Sequence, residues 1–183
     1  MPSLQKAKQR MEGALEALRR EFSGVRTGKA SPALLDTVRV EAYGSRVPLN
    51  QVGTVSAPEP RMLTVQPWDR GLIKEVEKAI RDSDLGLNPS NDGALIRIPI
   101  PALTEERRRE YVRLLHKLAE EARVAVRQAR KDANDEIKHR QKGEGLSEDD
   151  VRREQGEVQK LTDQYVHKIE EILKHKEAEV MEV

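Results

Sequence analysis

Cysteine is absent from this chain, so neither a disulfide framework nor thiolate chemistry is open to it. Aromatic residues are scarce: one Trp, one Phe and three Tyr among 183 residues. A compact globule of this length normally draws on more large apolar side chains than that. No apolar run approaches the roughly 20 residues that a membrane span needs. The N-terminal stretch MPSLQKAKQRMEGALEALRR alternates charge with apolar residues and lacks the continuous apolar core of a signal peptide. A soluble, cytoplasmic protein is the expectation, and nothing calls for a membrane. Nor does the sequence hold a GxxxxGK[ST] loop, or a GxGxxG following a strand. The four histidines, His116, His139, His167 and His175, have no metal-ligand spacing and sit in segments rich in Lys and Glu. They read as solvated surface residues. No nucleophile has a base beside it. The expectation is therefore not an enzyme, with no cofactor and no metal.

Charge is what the chain has instead. Charged residues make up 36 % and apolar residues 37 %, a balance that suits elongated helices with a narrow apolar seam and a wide solvated surface. The formal net charge is only +1, but it is unevenly spread. Residues 1–33 carry seven Lys/Arg against three Glu, and residues 123–142 carry seven against three acids. Residues 143–183 carry six against twelve. Local basic stripes can meet a polyanion even in a nearly neutral chain.

Three segments have helical periodicity. The first runs from about Ser3 to Gly24, with Leu4, Met11, Leu18 and Val25 seven residues apart and Ala7, Ala14, Leu15 and Phe22 in adjoining rows. It ends at Arg26–Pro32, where Gly28 and Pro32 break helical continuity. The second opens at Leu103-Thr104-Glu105-Glu106, with Thr104 as N-cap and the glutamates suited to the helix dipole. Its spine is Tyr111, Leu115, Leu118, Ala122, Ala125, Ala129, Ala133 and Ile137, uninterrupted until Gly143. A loop at Lys142–Gly145 leads to Ser147-Glu148-Asp149-Asp150, a start resembling a capping box. The last helix repeats Val151, Val158, Tyr165 and Ile172 every seven residues, supported by Leu161 and Ile169. The short loop makes it antiparallel to its predecessor.

Between the first and second helices the character changes. VRVEAY, RVPLNQVGTVSA and RMLTVQPW read as short strands and hairpins. GLIKEVEKAIRDS reads as one short helix that buries Leu72, Ile73, Val76, Ala79 and Ile80. Ala94–Ile100 reads as a closing strand whose prolines end pairing or place it at an edge. Trp68 lies in this region. A single tryptophan in a small β-rich domain is usually core, though Pro67 and Asp69 suggest a strand exit.

Helices bury their stripes only against one another, so the simplest architecture is an α+β protein. An elongated three-helix bundle, residues 1–28 and 104–183, carries a small domain, residues 32–101, inserted between its first two helices. Segments 26–32 and 100–104 join the two. With Thr27, Gly28, Ala30, Pro101 and Leu103 in them, they form either a hinge or a rigid elbow.

One polar stretch stands out, ARVAVRQARKDANDEIK. Arg123, Arg127 and Arg130 are spaced i, i+4, i+7 and so share a helical face, Asn134 continues the row, and Lys131 flanks it. Arginine's planar fork suits phosphate oxygens and stacks on bases. The competing reading is a solvated row paired to acids of the last helix. If the bundle is antiparallel, the basic start of the first helix lies alongside and concentrates positive charge at that end. A second basic cluster surrounds Gly28, with Arg26 and Lys29. A glycine-containing interdomain turn with ordinary surface charges is the more economical reading of it.

Segments VRTGKASPALLD, EKAIRDSDLGLNP, IRIPIPALTEERRRE, ARVAVRQARKDAND, LSEDDVRREQGEVQKLTD and the terminal KEAEVMEV together resemble the ribosome recycling factor family, in the family's order and over nearly the whole chain. The resemblance implies an L-shaped pair of domains, a three-helix bundle and a β/α/β domain. It implies a monomer that binds the post-termination 70S ribosome through large-subunit rRNA. With elongation factor G and GTP hydrolysis by that partner, such a factor separates the subunits and releases mRNA and tRNA. The family's RNA-contacting arginines fall on Arg127 and Arg130, with Arg26 and Lys29 at its other basic positions. Lys131 stands where many relatives carry arginine, keeping the charge without the bidentate fork. The contrasting reading is a structural adaptor whose long helices bind other helices. RNA contacts weaken steeply with salt and apolar helix packing does not.

Overall fold

The computed structural model describes residues 2–182. In chain order the elements are α1 (Pro2–Ser23), β1 (Arg39–Ala42), β2 (Ser45–Pro48), β3 (Gly53–Glu59), β4 (Met62–Pro67), α2 (Ile73–Arg81), β5 (Ser90–Asn91), β6 (Ile96–Pro99), α3 (Glu105–Glu144) and α4 (Glu148–Met181). They form an α+β protein of two units. Residues 2–26 with Glu105–Glu182 make the helical one, and Thr27–Thr104 makes the inserted one. Among the described residues no helix is long and apolar enough to cross a membrane.

In the helical unit α3 spans 40 residues, about 60 Å at ~1.5 Å per residue. Propensity alone does not hold a helix of that length; its seam against α1 and α4 does. Ion pairs give the directions. Lys6 of α1 faces Glu136 at 3.8 Å and Arg10 faces Asp132, so α1 runs antiparallel to α3. Along α4, His116 meets Glu177 at 3.2 Å, Arg123 meets Glu170 at 2.6 Å and Arg140 meets Glu154 at 2.9 Å, so α4 is antiparallel to α3 as well.

The seam departs from a seven-residue repeat. α4 buries Val151, Thr162 and Leu173, eleven residues apart, while Ile172 and Leu161 are only half-buried. A straight helix of 3.6 residues per turn drifts roughly 20° per heptad, and an eleven-residue repeat tracks it more closely. The same drift corrects the spine of α3. Ala119 and Val126 are buried, Leu118 is half-buried and Ala125 is exposed. Small residues Ala119, Ala122, Ala129 and Ala133 fill most of that seam, which lets the helices pack with few aromatics.

The α3–α4 connection also differs from the sequence reading. Gly143 is helical, and the turn falls on Gly145, whose φ of 69° suits a residue without Cβ. Ser147 then caps α4, its hydroxyl accepting from the Asp150 N–H at 3.1 Å.

Tyr165 is the buried aromatic of α4, and its hydroxyl donates to Glu12 of α1 at 2.5 Å. Burial, and then the Glu12 carboxylate, push its phenol up to about 12. A group raised in the folded state contributes stability that is complete below its unfolded value, near 10. That contribution is lost as pH climbs from about 10 to 12. We expect the urea midpoint to fall across that window in the parent and to fall less in Tyr165→Phe.

The inserted unit has a four-stranded antiparallel sheet, order β3-β4-β6-β5, and a separate β1–β2 hairpin. Helix α2 buries Ile73, Val76 and Ile80 against a core of Leu, Val, Ile and Ala. Pro58 sits on β3 at the sheet edge, where the missing N–H costs no ladder bond. Strand β6 is not itself the edge, but its neighbour β5 is two residues long, so Pro99 pairs only with Met62 of β4. Trp68 leaves β4 at the surface, 67 % exposed; the strand-exit reading holds and the core reading does not.

Candidate nucleic-acid interface

Opposite its seam α3 is exposed to solvent, and Arg127, Lys131 and Lys138 lie exposed along it. Arg127 is 50 % exposed and sends one guanidinium N–H to Glu120, about two turns back on the same helix, at 3.1 Å. An exposed pair of this kind is worth little in water. It leaves four of the five guanidinium donors unassigned to it. Arg130, half-buried, reaches only the Gln159 side-chain oxygen of α4 at 3.4 Å, a long bond. Lys131 is exposed, and Lys138, two turns on, extends the same side and is exposed too. Its spacing of seven from Lys131 is a helical-face signal that the sequence reading did not use.

Arg123 is placed differently. Its side chain is 15 % exposed and clamped between Glu170 of α4 at 2.6 Å and Glu120 at 2.8 Å. Those two carboxylates hold its guanidinium above the ordinary arginine range, the Glu170 bond foremost. In turn Arg123, then Arg127, holds the Glu120 carboxyl below its usual range. At Arg123, then, the paired-to-the-last-helix arrangement is the one observed. Asn134 continues the row, and its side-chain oxygen is buried without a hydrogen bond. Arg26 is half-buried in the helical unit, and Lys29 is exposed in the inserted one.

The expected concentration of positive charge from α1 is corrected by the same register that makes the bundle. Lys6 and Arg10 lie against Glu136 and Asp132, so the α1 side of α3 is neutralised. Arg10, then Gln128, holds Asp132 below the ordinary carboxylate range. The start of α4 adds Glu148, Asp149 and Asp150. On this stretch of α3 the basic residues that do not face α1 are Arg127, Arg130, Lys131 and Lys138, with exposed Asp135 among them.

A split three-helix bundle with an aliphatic β-rich insertion defines the class: an α+β protein of two units, with basic side chains exposed along one of its long helices. The Ribosome recycling factor family model matches residues 18–181. The ribosome-recycling factor of Rubrobacter xylanophilus is 57 % identical over 180 residues, covering 98 % of this chain and 97 % of that one. That of Symbiobacterium thermophilum is 55 % identical over 177 residues, covering 97 % and 96 %. A solution structure of the ribosome recycling factor superposes with a TM-score of 0.76 at 46 % identity, over 100 % of this chain and 97 % of that one. A second similar structure is the T. thermophilus ribosome recycling factor, described with E. coli elongation factor G bound to the E. coli post-termination complex. It matches at 48 % identity with a TM-score of 0.65, covering 99 % and 98 %. This chain belongs to the ribosome recycling factor family.

Proposed function

We propose that this protein recycles ribosomes by gripping large-subunit rRNA with the open strip of α3 while elongation factor G, hydrolysing GTP, drives the subunits apart and frees mRNA and tRNA. The observation that carries the reading is the strip itself: Arg127, Arg130 and Lys131 on one side of a packed helix, with the two arginines held only by an exposed glutamate and a long bond to Gln159. A phosphate would displace the exposed Glu120 from Arg127 at little cost, because charge-assisted bonds to an anion outweigh a surface pair in water. Arg123 enters this reading chiefly as a brace that fixes α3 on α4, and Arg26 and Lys29 as secondary contacts. The chemistry belongs to the partner GTPase, and the setting is the bacterial-type cytoplasm.

The test is binding to isolated large subunits across a salt series. Arg130→Ala removes one charge-assisted contact, about 1.5–3 kcal/mol of affinity. It should also flatten the salt dependence, because fewer counterions are released. Equal slopes for parent and variant would remove Arg130 from the interface.

The chain passes between its units after Arg26 and again after Thr104. Within the inserted unit, Ala30 and Ile100 donate to neighbouring carbonyls, Pro60 at 2.6 Å and Arg61 at 2.8 Å. Both connecting segments thus hang from one turn. We assign flexing to the residues around those anchors, Thr27, Gly28, Ala30, Pro101 and Leu103, and expect spin-label distances between the units to be broad in free protein and narrow on the ribosome. A single narrow distance in both states would favour the rigid elbow.

A further inference from the structure

The inserted unit leaves both of its aromatic residues outside. Tyr43 is 80 % and Trp68 67 % exposed, above a core built from aliphatic side chains alone. In a chain so short of aromatics, burying these two would add more apolar area than any aliphatic residue offers. The turn does not explain the tyrosine either. Tyr43 and Gly44 form the two-residue turn between β1 and β2, and Tyr43 holds a φ of 52°, which bulky residues rarely adopt and for which Asn or Gly is suited.

Hydrogen bonds hold the two rings at one corner. The Tyr43 hydroxyl donates to Asp69 at 2.8 Å, Asp69 being the neighbour of Trp68. The Trp68 indole N–H donates to the Thr54 hydroxyl at 3.1 Å. Asp69 also accepts the Gly71 N–H at 2.8 Å. Both ring-borne donors are therefore spent inside the protein, and what faces solvent is ring surface beside a carboxylate. Aromatic faces carry negative potential and attract cations, most strongly on Trp. Spent donors and a carboxylate make the corner a poor seat for phosphate. Exposed Trp and Tyr held rigidly are also the residues that dominate protein interfaces.

We propose that the Tyr43–Trp68–Asp69 corner is a protein-docking surface that receives an arginine or lysine side chain of a protein met during recycling. The inference rests on the recycling function proposed above and concerns the unit that does not carry the RNA strip.

The test uses the full chain in splitting of post-termination 70S ribosomes by this protein with elongation factor G and GTP, titrating the protein. Trp68→Ala should raise the concentration for half-maximal splitting by about tenfold, as loss of an interface anchor does. Trp68→Phe should keep most of the activity, because the ring face remains. Asp69→Asn should weaken splitting several-fold and Arg70→Ala should not. Affinity for isolated large subunits should be unchanged in all four variants. Trp68→Ala splitting at the parental concentration would overturn the proposal. So would Arg70→Ala weakening it as much as Asp69→Asn, which would indicate an anionic partner. Because Trp68 is the only tryptophan, quenching of its fluorescence by poly(U) at physiological salt would also overturn it, in favour of base stacking. Should Trp68→Ala fail to fold, Trp68→Phe and Asp69→Asn still decide. An Arg127→Ala/Arg130→Ala protein run in parallel separates the two claims. If it splits normally, the RNA-grip reading fails; if only Trp68→Ala splits normally, the docking corner alone fails.

Discussion

Replacing Arg127 and Arg130 together with Ala should abolish ribosome splitting in the presence of elongation factor G and GTP, while the protein unfolds at nearly the parental temperature. The two expectations belong together. Neither arginine contributes much to folding: Arg127 is paired to an exposed Glu120, and Arg130 touches Gln159 through a long bond. On an anionic surface both would make charge-assisted bonds, and two such losses lower affinity by about 3–6 kcal/mol if each is worth about 1.5–3. That corresponds to a factor of about a hundred or more, since about 1.4 kcal/mol is tenfold. Sedimentation would then show intact 70S particles at protein concentrations where the parent splits them. A double variant that splits as well as the parent would make the strip a solvated helix face. Arg123→Ala should behave differently: it breaks the clamp between Glu120 and Glu170, so its thermal midpoint should fall along with its activity.

The largest expected stability effect lies in the seam. Leu115 is fully buried between the helices, and Leu115→Ala should cost about 2–5 kcal/mol, the range for emptying a packed leucine site. Leu118→Ala should cost clearly less, because Leu118 is only partly buried at the edge of the core. Urea unfolding of both variants checks the ranking. Equal losses would mean that the seam of α3 runs through Leu118 after all, as a strict reading of its apolar spacing suggests.

That contrast marks where the sequence is legible and where it is not. The start of α4 is readable residue by residue, because a cap is local: Ser147 followed by Asp150 is enough. The inserted β-rich region is readable from Gly, Pro and β-branched residues for the same reason. Which of Leu118, Ala119, Ala125 and Val126 are buried depends instead on how a long helix rotates along its partners, and alanine-rich stretches give almost no contrast between rows. Gly143 misled because glycine weakens a helix without ending it; the chain turns at Gly145, where the backbone goes left-handed. At the candidate interface, the row Arg123, Arg127, Arg130 is plain from spacing. Spacing does not say that Glu120 and Glu170 close on Arg123, since Glu170 arrives from another helix. The neutralisation of Lys6 and Arg10 by Glu136 and Asp132 is likewise a product of register between helices distant in sequence. Trp68 is ambiguous in sequence because exposure of an aromatic runs against the hydrophobic pattern from which burial is read.

The central claim is that this protein takes post-termination ribosomes apart in concert with a GTPase. The most direct measurement is sucrose-gradient sedimentation of post-termination 70S ribosomes incubated with this protein, elongation factor G and GTP. The account predicts conversion to separate large and small subunits only when all three are present, and little conversion with a non-hydrolysable GTP analogue. Ribosomes that remain at 70S with all three present would contradict it, as would splitting by this protein alone.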